Sequence, residues 1–281
     1  MAEFIKVGNE ITIKPKLEGL SYELINGKVY DLKYDYNYGK IYLAENGDLN
    51  MPKKLYKLEE DNQFIKRVLT YFDSENSGKT TGILLAGTKG TGKTMLSKRI
   101  ALESNLPIIV VATDYPTSKL TEFFKNFTAP VVVMFDEIEK NGYYWKTKDL
   151  LGFLDGVEAT SKKLVLMTCN ETDEIDDNFF DRCSRIRYYR KYRANSNSVF
   201  VRAMAEDKGV KNIDEVVNFI IEHMEVKSFD NISAFLDEVV LFENISLAKL
   251  AADMNISLDG VVMTGTTDTE DEFEDDDENL F

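Results

Sequence analysis

The octet Gly87-Thr88-Lys89-Gly90-Thr91-Gly92-Lys93-Thr94 follows the apolar run Ile83-Leu84-Leu85-Ala86 without a gap and matches GxxxxGK(S/T). No other feature constrains the fold as much, because such a loop works only between a buried strand and a helix. Its glycines let the backbone turn its N–H groups inward, making a cradle for phosphate oxygens. Lys93 then reaches the β- and γ-phosphates, and the Thr94 hydroxyl is a ligand for Mg²⁺. Met95 to Ser104 read as a helix whose positive end faces the phosphates. The expectation is an α/β fold, a P-loop nucleoside-triphosphatase with a parallel sheet sandwiched by helices, taking ATP and Mg²⁺.

A second acidic element lies about 45 residues downstream. Val131-Val132-Val133-Met134-Phe135 reads as a strand buried on both faces, and it ends in Asp136-Glu137. Carboxylates at that end sit where open α/β sheets bind ligands. Asp136 is positioned to hold Mg²⁺ and Glu137 to polarise the attacking water. A third run, Leu164 to Thr168, ends in Cys169-Asn170, an amide suited to orienting that water. Further on, Arg182 and Arg185 lead into the aromatic run Tyr188-Tyr189. An arginine on the γ-phosphate is worth roughly 10³–10⁵ in rate. An arginine-rich turn also suits a solvated or nucleic-acid-facing patch, and the residues alone leave both uses open.

In order, these motifs are the phosphate loop, Asp136-Glu137, the stretch Leu150-Leu151-Gly152-Phe153-Leu154-Asp155-Gly156, Asn170, and Arg182 with Arg185. That order resembles the AAA family of ring ATPases in its narrow sense. It is similar in feel to small phage-encoded AAA ATPases and to mitochondrial Rieske-protein-translocating AAA proteins. The resemblance spans roughly residues 57 to 240. It implies that Asn170 is a sensor of the γ-phosphate. It also implies that Arg182 or Arg185 is a finger entering a neighbouring subunit's site, and so a homo-oligomeric ring, usually a hexamer. Cys183-Ser184 stands where the family has Pro-Gly, which leaves open which arginine is the finger. Tyr115, on the loop after the strand Pro107 to Ala112, is the candidate for the aromatic that family members carry there, and Pro116 beside it equally suits a plain tight turn. No arginine stands at Asp230-Asn231, where many relatives outside the narrow family place a second sensor.

The chain divides into a small N-terminal β-domain over 1–56, an ATPase α/β domain over 57–194, a C-terminal helical lid over 195–260 and an acidic tail over 261–281. In the first, Ile11 to Lys14, Ser21 to Leu24, Lys28 to Tyr34 and Lys40 to Leu43 read as strands forming a partly open barrel. Asn26-Gly27 and Asn46-Gly47 are its hairpin signals. Tyr30, Tyr34, Tyr36, Tyr38 and Tyr42 interleave with Lys28, Lys33 and Lys40, a face able to stack single-stranded nucleic acid or to serve as an ordinary half-buried hairpin. Ser246 to Ser257 has the look of half a helix-turn-helix, but no recognition helix follows it. His223 takes no role.

The tail acids from Asp268 to Glu278 carry most of the formal net charge of −15, which argues against a body that wraps duplex DNA. Leu280 and Phe281 close that tail, a pattern fit either to dock on a partner or to end a solubilising tail that repels nucleic acid from the arginines between 182 and 193. No run reaches the about 20 apolar residues of a membrane span. The amino terminus lacks a secretory pattern, and two unpaired cysteines suit a reducing compartment. The expectation is a cytoplasmic ATPase, in a host's cytoplasm if phage-encoded, that remodels or threads a protein client. The alternative is a nucleic-acid-dependent ATPase, of helicase or clamp-loader type, in phage DNA replication.

Overall fold

The computed structural model describes residues 2–15, 23–52, 55–56, 58–111, 117–125, 127–141, 147–155, 161–170, 183, 185–192 and 198–259. Tyr115, Arg182 and the tail with Leu280 and Phe281 lie outside these residues.

Nine strands form one mostly parallel sheet. In chain order they are β1 (Ala2–Val7), β2 (Glu10–Pro15), β3 (Val29–Asp35), β4 (Lys40–Gly47), β5 (Thr80–Gly87), β6 (Ile108–Val111), β7 (Val131–Phe135), β8 (Lys163–Cys169) and β9 (Tyr188–Tyr192). Across the sheet the order is β1-β2-β4-β3-β6-β7-β8-β5-β9. The segment from β3 through β6, β7, β8 and β5 to β9 is parallel throughout. Each of β5, β7 and β8 is buried along its whole length, which is why each reads as an unbroken apolar run.

Helices cover both faces. Alternate strand residues Leu84, Ile109, Val133, Phe135 and Val165 pack with α3 (Thr117–Lys125) and α4 (Thr147–Asp155). Their neighbours Ile83, Leu85, Ile108, Val132 and Leu166 pack with α1 (Glu59–Asp73) and α2 (Lys93–Glu103). The two-residue period of the strands thus sorts one sequence into two cores. A third core belongs to the lid: α5 (Ser198–Lys208), α6 (Ile213–His223), α7 (Phe229–Leu241) and α8 (Leu247–Asp253) enclose Met204, Val216, Ile220, Phe235 and Leu236. After α8 the chain folds back, pairing Leu258 with Met224 beside the end of α6. That return accounts for the segment with the helix-turn-helix look.

The N-terminal strands depart from the expected barrel. They extend the ATPase sheet instead, with Val29 to Leu32 of β3 in register with Ile108 to Val111 of β6. Phe4, Ile11, Tyr30, Leu32 and Leu43 belong to the same core as α3 and α4. Residues 23–24 of the expected strand Ser21 to Leu24 carry no regular structure, whereas Ala2–Val7, not foreseen, is a strand. Gly27 and Gly47 do take positive φ, at +77° and +81°. Gly27 lies in the turn before β3 and Gly47 ends β4, however, while Tyr36–Gly39 makes the hairpin turn between those strands. An Asn-Gly pair marks backbone able to reach positive φ, and pairing partners are decided elsewhere.

Candidate functional site

The carboxyl ends of β5, β7 and β8 bring the sequence motifs together. Gly92, at φ +91°, caps α2, and Gly90 takes φ +72°. A Cβ on Gly90 would lie 3.0 Å from both the Asp230 carboxylate and the Ser228 Cβ, so the loop needs glycine there for space as well as for conformation. The Lys93 ammonium is folded into the loop, donating to the carbonyls of Gly87 (2.6 Å) and Thr88 (2.8 Å). Burial pushes its pKa below the ordinary lysine value, while Glu139, Asp136 and Glu137 pull the other way.

Across from the loop, the Thr94 hydroxyl donates to Asp136 Oδ1 at 3.1 Å. Thr168 on β8 braces the acidic pair. Its hydroxyl donates to Asp136 and accepts from the Glu137 N–H at 2.9 Å. Glu137 sits at φ +51°, a left-handed conformation that costs a non-glycine residue about 1 kcal/mol or more and marks functional backbone. Its carboxylate accepts from Asn170 Nδ2 at 2.7 Å and pairs with Lys140. Those two partners, Lys140 first, hold its pKa below the usual carboxylate range, so it is ionised at neutral pH. Asn170 also donates to Glu139, at 2.7 Å from its amide and 3.0 Å from its backbone. Thr94, Asp136, Glu137 and Asn170 therefore converge as expected, and Thr168 and Lys140 join them unforeseen. Lys140 carried a faint signal, standing one turn after Glu137.

The pocket beside the loop has a volume of about 830 Å³ and extends to the lid. Leu58, Tyr56, Phe200 and Phe229 form an apolar wall, with the last two rings 4.7 Å apart. Such a wall suits a flat, apolar group next to a phosphate cradle. Asp230, where no arginine was found, also lines the pocket, as does Arg190, ion-paired with Asp61 at 2.8 Å. None of these was read as a site residue, because they meet only through tertiary packing.

Arg185 is not part of this pocket. Its guanidinium grips Asp155 at the end of α4 through contacts of 2.9 and 3.1 Å. Its carbonyl lies 2.0 Å from where a Cβ on Gly82 would be, which makes glycine obligatory at that point of β5. Gly82 is five residues before Gly87, or about 16 Å along the strand. Arg185 thus sits toward the opposite edge of the sheet from its own phosphate loop.

A glycine-rich loop between a buried parallel strand and a helix, faced by a braced Asp-Glu pair, defines a P-loop nucleoside-triphosphatase. Residues 83–191 match the family described as "ATPase family associated with various cellular activities (AAA)", and this region of the chain is an AAA ATPase domain. The chain is 34% identical over 126 residues to a cell division cycle protein 48 homolog of Archaeoglobus fulgidus, covering 37% of this chain and 17% of that protein. It is 27% identical over 190 residues to the ATP-dependent zinc metalloprotease FTSH 12, chloroplastic, of Arabidopsis thaliana, covering 54% of this chain and 19% of that protein. The chain therefore spans under a fifth of the length of these curated relatives. In fold it is similar to a RuvB variant of Thermotoga maritima, with a TM-score of 0.53 at 15% identity over 71% of this chain and 70% of that one.

Proposed function

We propose that the protein is an ATP-driven AAA motor that works as a homo-oligomeric ring, a hexamer, and remodels or threads a protein client. The observation that carries the reading is the Glu137 carboxylate fixed by Asn170 beside the phosphate loop, an arrangement suited to orienting a water for attack on a γ-phosphate. Thr94 and Asp136 offer hard oxygen donors on converging side chains, a set that fits Mg²⁺. When bound there, the ion neutralises charge on the triphosphate. Lys93 binds the β- and γ-phosphates, Asn170 holds Glu137 and the water, and Glu137 takes the water's proton toward itself.

In the ring reading Arg185, which pairs with Asp155 well away from its own loop, acts at a neighbour's site. In this reading Arg182 or Arg185 is that finger, Tyr115 grips the client, and Leu280 and Phe281 dock on a partner. Among the described residues no helix is long and apolar enough to cross a membrane.

The nucleic-acid reading drew on the arginines from 182 to 193 and on the N-terminal tyrosines, and the described arginines have partners within the chain. Arg185 pairs with Asp155, Arg187 lies 4.4 Å over the Tyr71 ring, and Arg190 pairs with Asp61. Phosphate release measured with unfolded protein, single-stranded DNA, duplex DNA and RNA tests the choice. Stimulation by unfolded protein is expected, and stimulation by a nucleic acid alone would overturn the remodelling reading. Sizing with a slowly hydrolysed ATP analogue tests the ring, which a strict monomer would refute.

A further inference from the structure

The hairpin between β3 and β4 carries two exposed aromatic rings that the ATPase core does not use. Tyr36 is 63% exposed and Tyr38 is 83% exposed. Their turn is nonetheless well built. Asp35 Oδ1 accepts from the backbone N–H groups of Asn37 (2.9 Å) and Tyr38 (3.3 Å). Gly39 takes φ +60° under the Tyr34 hydroxyl, and the Tyr34 and Tyr36 rings meet edge to face at 4.8 Å. Large rings on a stiff turn bind at low entropic cost.

Topology decides where the rings point in the molecule. β3 runs parallel to β6 with Leu32 opposite Val111, so the turn projects about 13 Å past the end of β6, at the carboxyl edge of the sheet. The phosphate loop follows β5 and the acidic pair follows β7 at that same edge. Val29 to Leu32 of β3 tie the hairpin to the ATPase sheet through β6.

Charge decides what the rings can hold. Lys33 pairs with Asp31, Lys40 with Glu10, and Lys119 at the start of α3 with Glu122. With Asp35 added, carboxylates outweigh ammonium groups around the tip among the described residues. A strand of phosphates needs unpaired cations, whereas an extended polypeptide needs only apolar and hydrogen-bonding contact.

We propose that Tyr36 and Tyr38 form a client-gripping tip for an unfolded polypeptide segment, at the edge of the sheet where ATP is hydrolysed. This rests on the remodelling reading above. The test uses the full-length chain with fluorescein-labelled casein as the unfolded probe and an oligo-dT strand as the competing one. Casein is expected to stimulate phosphate release by the wild type. The double variant Tyr36→Ala, Tyr38→Ala should lose that stimulation and bind casein about tenfold more weakly. Its basal rate should stay within about twofold of wild type, because neither ring touches the nucleotide pocket. Tyr36→Phe with Tyr38→Phe should keep most of the wild-type response. If casein stimulates and binds the alanine variant like the wild type, the tip is not the grip, although the remodelling reading survives. If casein leaves the wild type unstimulated, that reading fails and this one with it. Loss of oligo-dT binding in the alanine variant, with casein binding intact, would assign the tip to nucleic acid and overturn the proposal.

Discussion

Glu137 separates nucleotide binding from turnover at the scale of one carboxylate. Replacing it by Gln keeps the shape and the Asn170 contact but removes the proton acceptor. Glu137→Gln should therefore bind ATP as the wild type does while phosphate release stops, and Lys93→Ala should lose binding itself. Filter-retained nucleotide and released phosphate, measured on both variants, check this; wild-type turnover by Glu137→Gln would remove the residue from its role. Lys163 makes a different kind of prediction. It is buried with its ammonium on the Ser161 carbonyl at 3.2 Å, and burial, aided by Lys79, pushes its pKa down to about 8. Below about pH 8 it is charged folded and unfolded alike, and the fold bears the full cost of the buried charge. Between about pH 8 and the ordinary 10.5 the unfolded chain keeps a proton that the fold has shed, so stability rises with pH and levels off above that window. Lys163→Met should raise the melting midpoint near neutral pH, by up to about 2–3 kcal/mol of stability, and should flatten the rise above pH 8. Melts across the window, with no difference between the two proteins, would contradict it.

Among the elements, α7 links the lid to the phosphate loop. Ser228 caps the helix by accepting from the Asn231 N–H at 3.1 Å, and the first N–H of the helix, on Phe229, donates to the Gly90 carbonyl at 2.6 Å. Loss of such a cap costs about 1 kcal/mol. Ser228→Ala should therefore lower the melting midpoint by a few degrees and also weaken ATP binding, since the cap positions the contact with the loop. Calorimetry with and without nucleotide reads both effects; a change in stability with unaltered ATP affinity would uncouple the lid from the loop. The core strands and α2 were legible because each carries its own signal, an apolar run or the glycine pattern. The N-terminal strands were only partly so. Their alternation was visible at β3 and β4, but Asn26-Gly27 and Asn46-Gly47 suggested the wrong turns. Turn chemistry is local, whereas the choice of partner strand depends on which edge has apolar surface left to cover.

For the whole molecule, two predictions follow from sharing. If Arg185 acts on a neighbour, Arg185→Ala should cut turnover by about 10³-fold with ATP affinity nearly unchanged. Mixed rings with Glu137→Gln should then recover part of the rate, since one defect acts in its own subunit and the other across the boundary. Mixed rings that form yet stay inactive would speak against an arginine acting in trans. Because β3 pairs with β6 and Tyr30, Leu32 and Leu43 lie in the core beneath α3, deleting residues 1–47 should leave a chain that aggregates or melts far below the wild type. A truncated protein with unchanged melting and basal turnover would show the first strands to be separable.

The sequence by itself determined the phosphate loop, the acidic pair and Asn170, because each is a short run whose chemistry depends on its neighbours in the chain. Only the tertiary structure decided three other things. Thr168 and Lys140 brace Glu137, Tyr56 and Phe229 wall the pocket, and Asp155 holds Arg185 away from its own site. These are meetings of side chains from different elements. They are set by strand order and helix packing, which no local spacing encodes.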